Sequence, residues 1–267
     1  MPDIRPAAVA GAFYPGDRTT LIHDLGALLA AAPAVSGTPP KALIVPHAGY
    51  VYSGLTAACA YRWVEKLADT VTRVVLLGPA HRVAVRGIAL PGVTAFETPL
   101  GIVPMDSEAV AAIRDLPQVI VSREAHRLEH SLEVQVPFLQ QTLGEFTLVP
   151  LVVGAARPEE VAEVIEALWG GPETLILISS DLSHFHPYAA AQEIDRGTVR
   201  RILGLHVGID HEQACGGTPI NGLLAVAARR GMQPELLDLR NSGDTAGDRG
   251  RVVGYCSVAF REAAHVH

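Results

Sequence analysis

The chain has 267 residues, 49% of them apolar, and a formal charge of −7 from 21 Lys and Arg against 28 Asp and Glu. That acidic balance argues against nucleic-acid binding, which depends on neutralising phosphates. Gly, Pro or a charge interrupts every apolar run before the ~18 residues a spanning helix needs, so no membrane partner is expected.

The length suits one large α/β domain or two small ones. Met1-Pro2-Asp3-Ile4-Arg5 lacks a basic region followed by an apolar block, so no secretory signal is expected. Cys59, Cys215 and Cys256 form neither a disulfide framework nor a Cys-x-x-Cys zinc motif, which makes a reducing cytoplasm the expected compartment.

Arg5 to Asp17 is rich in turn residues and leads into an amphipathic helix over Arg18 to Ala31. Pro33 to Pro40 is a small-residue loop. Leu43 to Val45 is apolar throughout and stops at Pro46-His47-Ala48-Gly49, as a buried strand does, and helical spacing resumes over Gly54 to Leu67. A second apolar strand, Val74 to Leu77, ends at Gly78-Pro79-Ala80-His81. Arg86 to Val93 has strand character, and Asp106 to Leu116 is a helix with Asp106 as N-cap. Within Ser122 to Leu139, His126 and His130 are four apart and are expected to share a helix face.

Phe146 to Gly154 returns to strand, and Pro158 opens a helix with Glu159 and Glu160 in its first turn. Glu173 to Ser180 is a third apolar strand, delivering Asp181 and His184. Ala189 to Leu205 is helical, and Thr218-Pro219 marks another helix start, with Thr218 as N-cap. Strands near Glu235 to Arg240 and Val252 to Phe260 flank the Gly/Asp-rich loop Ser242 to Gly250. The alternation predicts a single three-layer α/β/α domain over residues 1–267. The short last connection predicts neighbouring antiparallel strands, hence a mixed, largely parallel sheet.

Three apolar strands that each deliver a histidine suggest one site at the carboxyl end of the sheet. Either His47 or His81 alone reads equally well as a loop histidine bonded to backbone; jointly they favour metal ligation, since imidazole suits Fe, Zn and Cu. Cys215 precedes a helix start, whose dipole would lower its thiol pKa, and is the candidate third ligand; a buried structural thiol is the alternative. His184 could be a ligand or a general base, and Asp181 its orienting carboxylate or an N-cap. His130 with Glu129 or Glu133 could orient ligands from behind, or be packing. His186 reads as loop surface, His206, His211, His265 and His267 as solvated, and Asp244 and Asp248 as turn residues. Cys59 and Cys256 read as inert core.

Pro46-His47-Ala48-Gly49-Tyr50, Gly78-Pro79-Ala80-His81, Glu129-His130-Ser131-Leu132-Glu133, Ser179-Ser180-Asp181, Ser242-Gly243-Asp244-Thr245 and Val252-Val253-Gly254-Tyr255 together resemble the MEMO family. The opening Arg5 to Gly11 with Tyr14-Pro15-Gly16 fits as well. Prokaryotic members are also called AmmeMemoRadiSam system protein B, for an association with an AMMECR1-like protein and a radical-SAM protein, which the resemblance implies as partners. The family is similar in fold to class III extradiol dioxygenases, non-haem Fe(II) enzymes. By that resemblance His47 and His81 match the two histidine ligands, His184 the acid/base histidine, and Cys215 the position where the family has cysteine in place of a glutamate ligand.

The resemblance implies a metal-capable pocket, with Fe(II) foremost and Cu or Zn as alternatives. Three readings follow: an iron or copper redox enzyme, a module binding a small-molecule, peptide or protein partner in the same pocket, and a zinc hydrolase.

Overall fold

The computed structural model describes residues 3–262, so the expectations for His265 and His267 lie outside the described residues. After β1 (Ile4–Arg5), Asp17 caps α1 (Arg18–Ala31) by accepting the Thr20 amide at 2.9 Å. The wholly buried β2 (Ala42–Val45) runs almost directly into α2 (Tyr50–Val64), which starts at Gly49 and so earlier than its spacing suggests. Next come β3 (Arg73–Pro79), β4 (Ile88–Leu90), and the hairpin β5 (Ala95–Thr98) with β6 (Gly101–Pro104). Asp106 caps α3 (Ser107–Ile113) through the Ala109 amide at 2.9 Å. β7 (Val119–Val121) precedes three short helices, α4 (Arg123–Arg127), α5 (His130–Glu133) and α6 (Val136–Leu143). The chain continues through β8 (Thr147–Val153), α7 (Pro158–Ala167), β9 (Thr174–Ser179), β10 (His184–His186) and α8 (Tyr188–Leu203). It closes with α9 (Gly217–Arg229), β11 (Gln233–Asn241) and β12 (Val252–Arg261). No described helix is long and apolar enough to cross a membrane.

The central nine-stranded sheet has the order β10-β12-β2-β9-β3-β8-β4-β7, with β11 also paired to β12. β2, β9, β3 and β8 are mutually parallel neighbours, whereas β12 is antiparallel to β2, β10 and β11, and β4 to β8. The sheet is therefore mixed and largely parallel at its centre. Leu43, Val45, Val74, Leu76, Leu175 and Leu177 face one core, under α1, α2 and α6. Ala42, Ile44, Val75, Leu77, Ile176 and Ile178 face the other, under α7, α8 and α9. Burial on both faces is why these strands read as continuous apolar runs without alternation. A separate small sheet joins β1, β5 and β6.

Two local expectations are corrected. His126 and His130 do not share a helix face, because Glu129 is extended (φ −77°, ψ 127°) and separates α4 from α5. Its carboxylate accepts the Ser131 amide at 3.0 Å, so it starts a new helix where periodicity would continue the old one. His126 is buried, with Nε2–H donating to the Ala89 carbonyl at 2.7 Å. Likewise α9 begins at Gly217 with Gly216 in the N-cap position, which puts Thr218 and Pro219 inside the first turn.

The amino-terminal segment is tied down by one carboxylate. Glu133, fully buried, accepts from Arg5 Nη1 at 2.7 Å, the Ala8 and Val9 amides at 2.8 and 2.9 Å, and Tyr14 Oη at 2.7 Å. Arg5 also donates from Nε to the His126 carbonyl, from Nη2 to the Glu129 carbonyl and from Nη1 to the Pro6 carbonyl. Removing one partner would strand a buried charge, so Glu133→Ala is expected to cost about 3–5 kcal/mol in urea unfolding, and the exposed Glu124→Ala far less.

Burial holds His126 down at about 4, against an unfolded value of 6.5. The unfolded chain therefore binds the proton first as pH falls. The stability from a neutral His126 is complete above pH ~6.5 and lost progressively down to ~4, roughly 3 kcal/mol in all. Denaturation midpoints measured across that window should fall for the parent chain and fall less for His126→Gln.

Candidate metal centre

Because β2, β9 and β3 are parallel neighbours, their carboxyl ends share one edge; the loops after them carry His47, His81 and Asp181, and His184 follows at the start of β10. The geometry adds His130 from α5. That helix comes close enough to β3 for Ser131 Oγ to donate to the Pro79 carbonyl at 2.9 Å. A Cβ at Gly78 would lie 2.8 Å from Ser131 Oγ, so glycine is what permits the approach.

One ligand atom from each of His47, His81 and His130 lies within 4.8 Å of the others. The His81 and His130 rings stack at 4.6 Å between centroids, and His47 meets both edge-on at 5.2 and 5.3 Å. His47 is buried, His130 half-buried and His81 exposed.

Hydrogen bonds set the tautomers of two rings. Ser179 Oγ donates to the Ser131 carbonyl at 2.6 Å and accepts from Gln135 Nε2 at 2.8 Å. Its remaining lone pair can only accept, so His47 Nδ1, 2.9 Å away, carries the proton and Nε2 keeps its lone pair. Glu129 accepts from the His81 amide at 2.6 Å and from His81 Nδ1 at 2.9 Å. Burial alone would raise the Glu129 pKa, but the His81 ring and the Ser131 and His81 amides hold it at about 2. An ionised carboxylate has no proton to give, so His81 Nδ1 is the donor and its Nε2 is also free. His130 Nδ1 is buried 3.3 Å from the same carboxylate without hydrogen-bond geometry, a polar atom left without a partner.

Burial, reinforced by the neighbouring histidines, keeps His47 well below 6.5, and burial likewise lowers His130. Both rings are thus neutral at pH 7, the form that binds metal. The donor set, the unprotonated Nε2 atoms of His47 and His81 and the unpartnered His130 nitrogen fit a transition-metal ion bound by imidazoles.

Asp181 and His184 occupy different roles from the simple pair suggested by their proximity in sequence. Asp181 Oδ1 accepts the His47 and Ala48 amides at 2.7 and 3.3 Å, which anchors the loop after β2, and burial raises its pKa. No helix starts there. His184 Nδ1 instead donates to the Leu182 carbonyl at 2.8 Å, leaving Nε2 open. His184, His130 and Asp181 line a cleft of about 490 Å³ together with Phe13, Phe185 and Tyr255.

Cys215 Sγ lies 3.3 Å from His47 Nε2 and 3.9 Å from Ser180 Oγ. Its thiol is pushed up to about 12, first by burial and then by Asp181, so desolvation outweighs the helix dipole that the sequence suggested would lower it. Cys59 and Cys256 are buried in apolar surroundings and their thiols are also raised. His206 and His211 are exposed, and His211 bonds the Cys215 carbonyl and Thr218.

Residues that sequence reasoning did not single out complete the arrangement: Ser179 and Gln135 behind His47, and the Leu182 carbonyl behind His184. Ser179 closes a buried apolar strand, and a hydroxyl there is the signal that was available.

An α/β protein with a histidine cluster at the carboxyl edge of its sheet, able to hold a metal, is the class these features define. A family model described as Memo-like protein matches residues 5–259. MEMO1 family proteins from Sulfolobus acidocaldarius and Aquifex aeolicus are 35% and 36% identical, each alignment covering 96% of this chain and 99% of the relative. The chain belongs to the Memo-like (MEMO1) family. The fold is also similar to that of an uncharacterized protein from Escherichia coli K12, with a TM-score of 0.53 at 16% identity over 81% of this chain and 98% of that one.

Long-range proton–nitrogen NMR of the metal-free protein should find His47 and His81 in the Nδ1–H form. Ser179→Ala removes the acceptor and strands Gln135, with an expected loss of about 1–3 kcal/mol in unfolding and mixed His47 tautomers.

Proposed function

We propose that this chain is a metal-dependent redox protein, with Fe(II) the favoured ion and copper the next. The observation that carries the reading is the pair of preset imidazoles, His47 and His81, each left with an unprotonated Nε2 and each with a ring nitrogen within 4.8 Å of the other's. His130 adds a third nitrogen. Cys215, against His47, is the thiol donor of the set and would bind as thiolate, its proton released on metal binding. Imidazole nitrogens accept Fe, Cu or Zn, and a thiolate adds preference for softer ions. A bound iron or copper ion would supply one-electron chemistry, held by these residues beside the cleft that His130 lines.

The protein's own residues do the rest. Glu129 and Ser179 hold the rings in orientation, which typically contributes 10–100-fold in metal affinity. Asp181 fixes the His47 backbone. His184, with its Nε2 open toward the cleft, is placed to take or give a proton at a bound molecule. A second reading, a module that binds a peptide or protein partner at the same cleft, draws on the exposed apolar residues around it, Tyr52 and Phe185.

Protein purified without oxygen and analysed for metal tests the proposal. Iron or copper near one ion per chain is expected. His47→Ala and His81→Ala should each abolish uptake with the fold intact by circular dichroism. Cys215→Ser should weaken uptake by about tenfold or more and reduce the preference for Cu(I). Uptake by Cys215→Ser as tight as the parent's would remove the thiol from the set. Zinc held tightly with hydrolysis of a test ester would point to hydrolytic chemistry instead.

A further inference from the structure

We propose that the cleft beside the histidine cluster takes a small monocarboxylic acid, its carboxylate paired with Arg251 and its apolar body laid along Phe185. The inference rests on the preceding reading only in taking this cleft as the substrate's approach to the metal.

Arg251 is the first ground. It lines the cleft and is exposed, yet among the described residues it makes no hydrogen bond or ion pair. Nearby arginines are committed: Arg240 to Asp238, and Arg249 to the Gly243 carbonyl and the Tyr188 ring. Arg251 makes one defined contact, with its Cζ 5.1 Å from the centroid of Phe185. Stacking leaves the edge of the guanidinium, with its forked N–H donors, free for a carboxylate.

Phe185 is the second. It sits at φ 64°, in the left-handed region that an aromatic residue rarely adopts, and is 60% exposed. The register of β10 against β12 shifts between His184 and His186, so the strand is irregular where Phe185 falls. Local hydrophobicity would favour turning this ring inward. The irregularity instead holds it at the cleft, beside His184 and under Arg251. Strain of this kind collects at ligand sites.

Charge decides the ligand class. Arg251 is the only Lys or Arg among the cleft's lining residues, and Asp248 and Asp181 lie on the same lining. A monoanion matches one guanidinium. A dianionic phosphate would carry its second charge toward those carboxylates, and a neutral molecule would leave Arg251 unpaired. The aromatic walls, Phe13, Tyr52 and Tyr255, suit an apolar body, and about 490 Å³ suits a small molecule.

Calorimetric titration of the full-length, metal-free protein with phenylacetate, phenylacetamide and phenyl phosphate tests this. Phenylacetate should bind saturably and at least about tenfold tighter than phenylacetamide. Arg251→Gln should lose that preference, Arg251→Lys should keep part of it, and Phe185→Ala should weaken all three ligands. Circular dichroism checks that each variant is folded. No saturable binding of phenylacetate, equal binding of the amide, or unchanged preference in Arg251→Gln overturns the proposal. Tighter binding of phenyl phosphate overturns the choice of a monocarboxylate. Metal uptake by the parent chain is measured separately. Phenylacetate binding by a chain that takes up no metal supports the carboxylate site and strikes the metal reading alone.

Discussion

The carboxylate of Glu129 is the constraint on which the site depends. It is almost completely buried and ionised, which is tolerable only because the His81 amide, the His81 ring and the Ser131 amide all donate to it. Those bonds do two things at once. They orient His81 with its Nε2 outward, and they stop α4 and start α5 at a new angle. The second effect is what swings His130 against His81 and leaves His126 behind in the core. A single carboxylate therefore couples backbone direction to the assembly of the histidine cluster.

Ser179 plays the complementary part on the other side. Its hydroxyl is saturated by the Ser131 carbonyl, Gln135 and His47, and Gln135 in turn donates to the Pro46 carbonyl and accepts from Tyr61. Removing any member strands another buried polar group. The network thus ties α5, α6, α2 and the ends of β2 and β9 into one rigid support. Rigidity here has a chemical consequence: the His47 lone pair points one way with no reorganisation required.

The cleft side of the site is built differently. Glu133 fastens residues 5–14 onto α5, and this brings Phe13 against the His130 ring at 4.8 Å between centroids. The opposite wall comes from the irregular β10 strand and the loop before β12, where Phe185 and Arg251 stand exposed. One wall is anchored by buried ionic bonds, and the other carries the uncommitted charge.

The sequence by itself determined the sheet and its functional edge. Continuous apolar runs over Leu43 to Val45, Val74 to Leu77 and Leu175 to Ile178 can be buried only with both faces covered. A parallel arrangement then sends His47, His81 and His184 to the same edge. The cap at Asp106 was equally legible, because capping is a local contest between a side chain and its own backbone. Only the tertiary structure decided what depends on contacts across the chain. His130 joins the cluster because Glu129 finds His81, 48 positions away in sequence, and breaks a helix that periodicity would continue. The Cys215 thiol is raised because burial strips it of water, against the lowering by a helix dipole that the sequence suggests. His184 is oriented by a backbone carbonyl, which leaves no trace in residue type. Local physics placed the strands; desolvation and long-range hydrogen bonds chose which of their side chains meet.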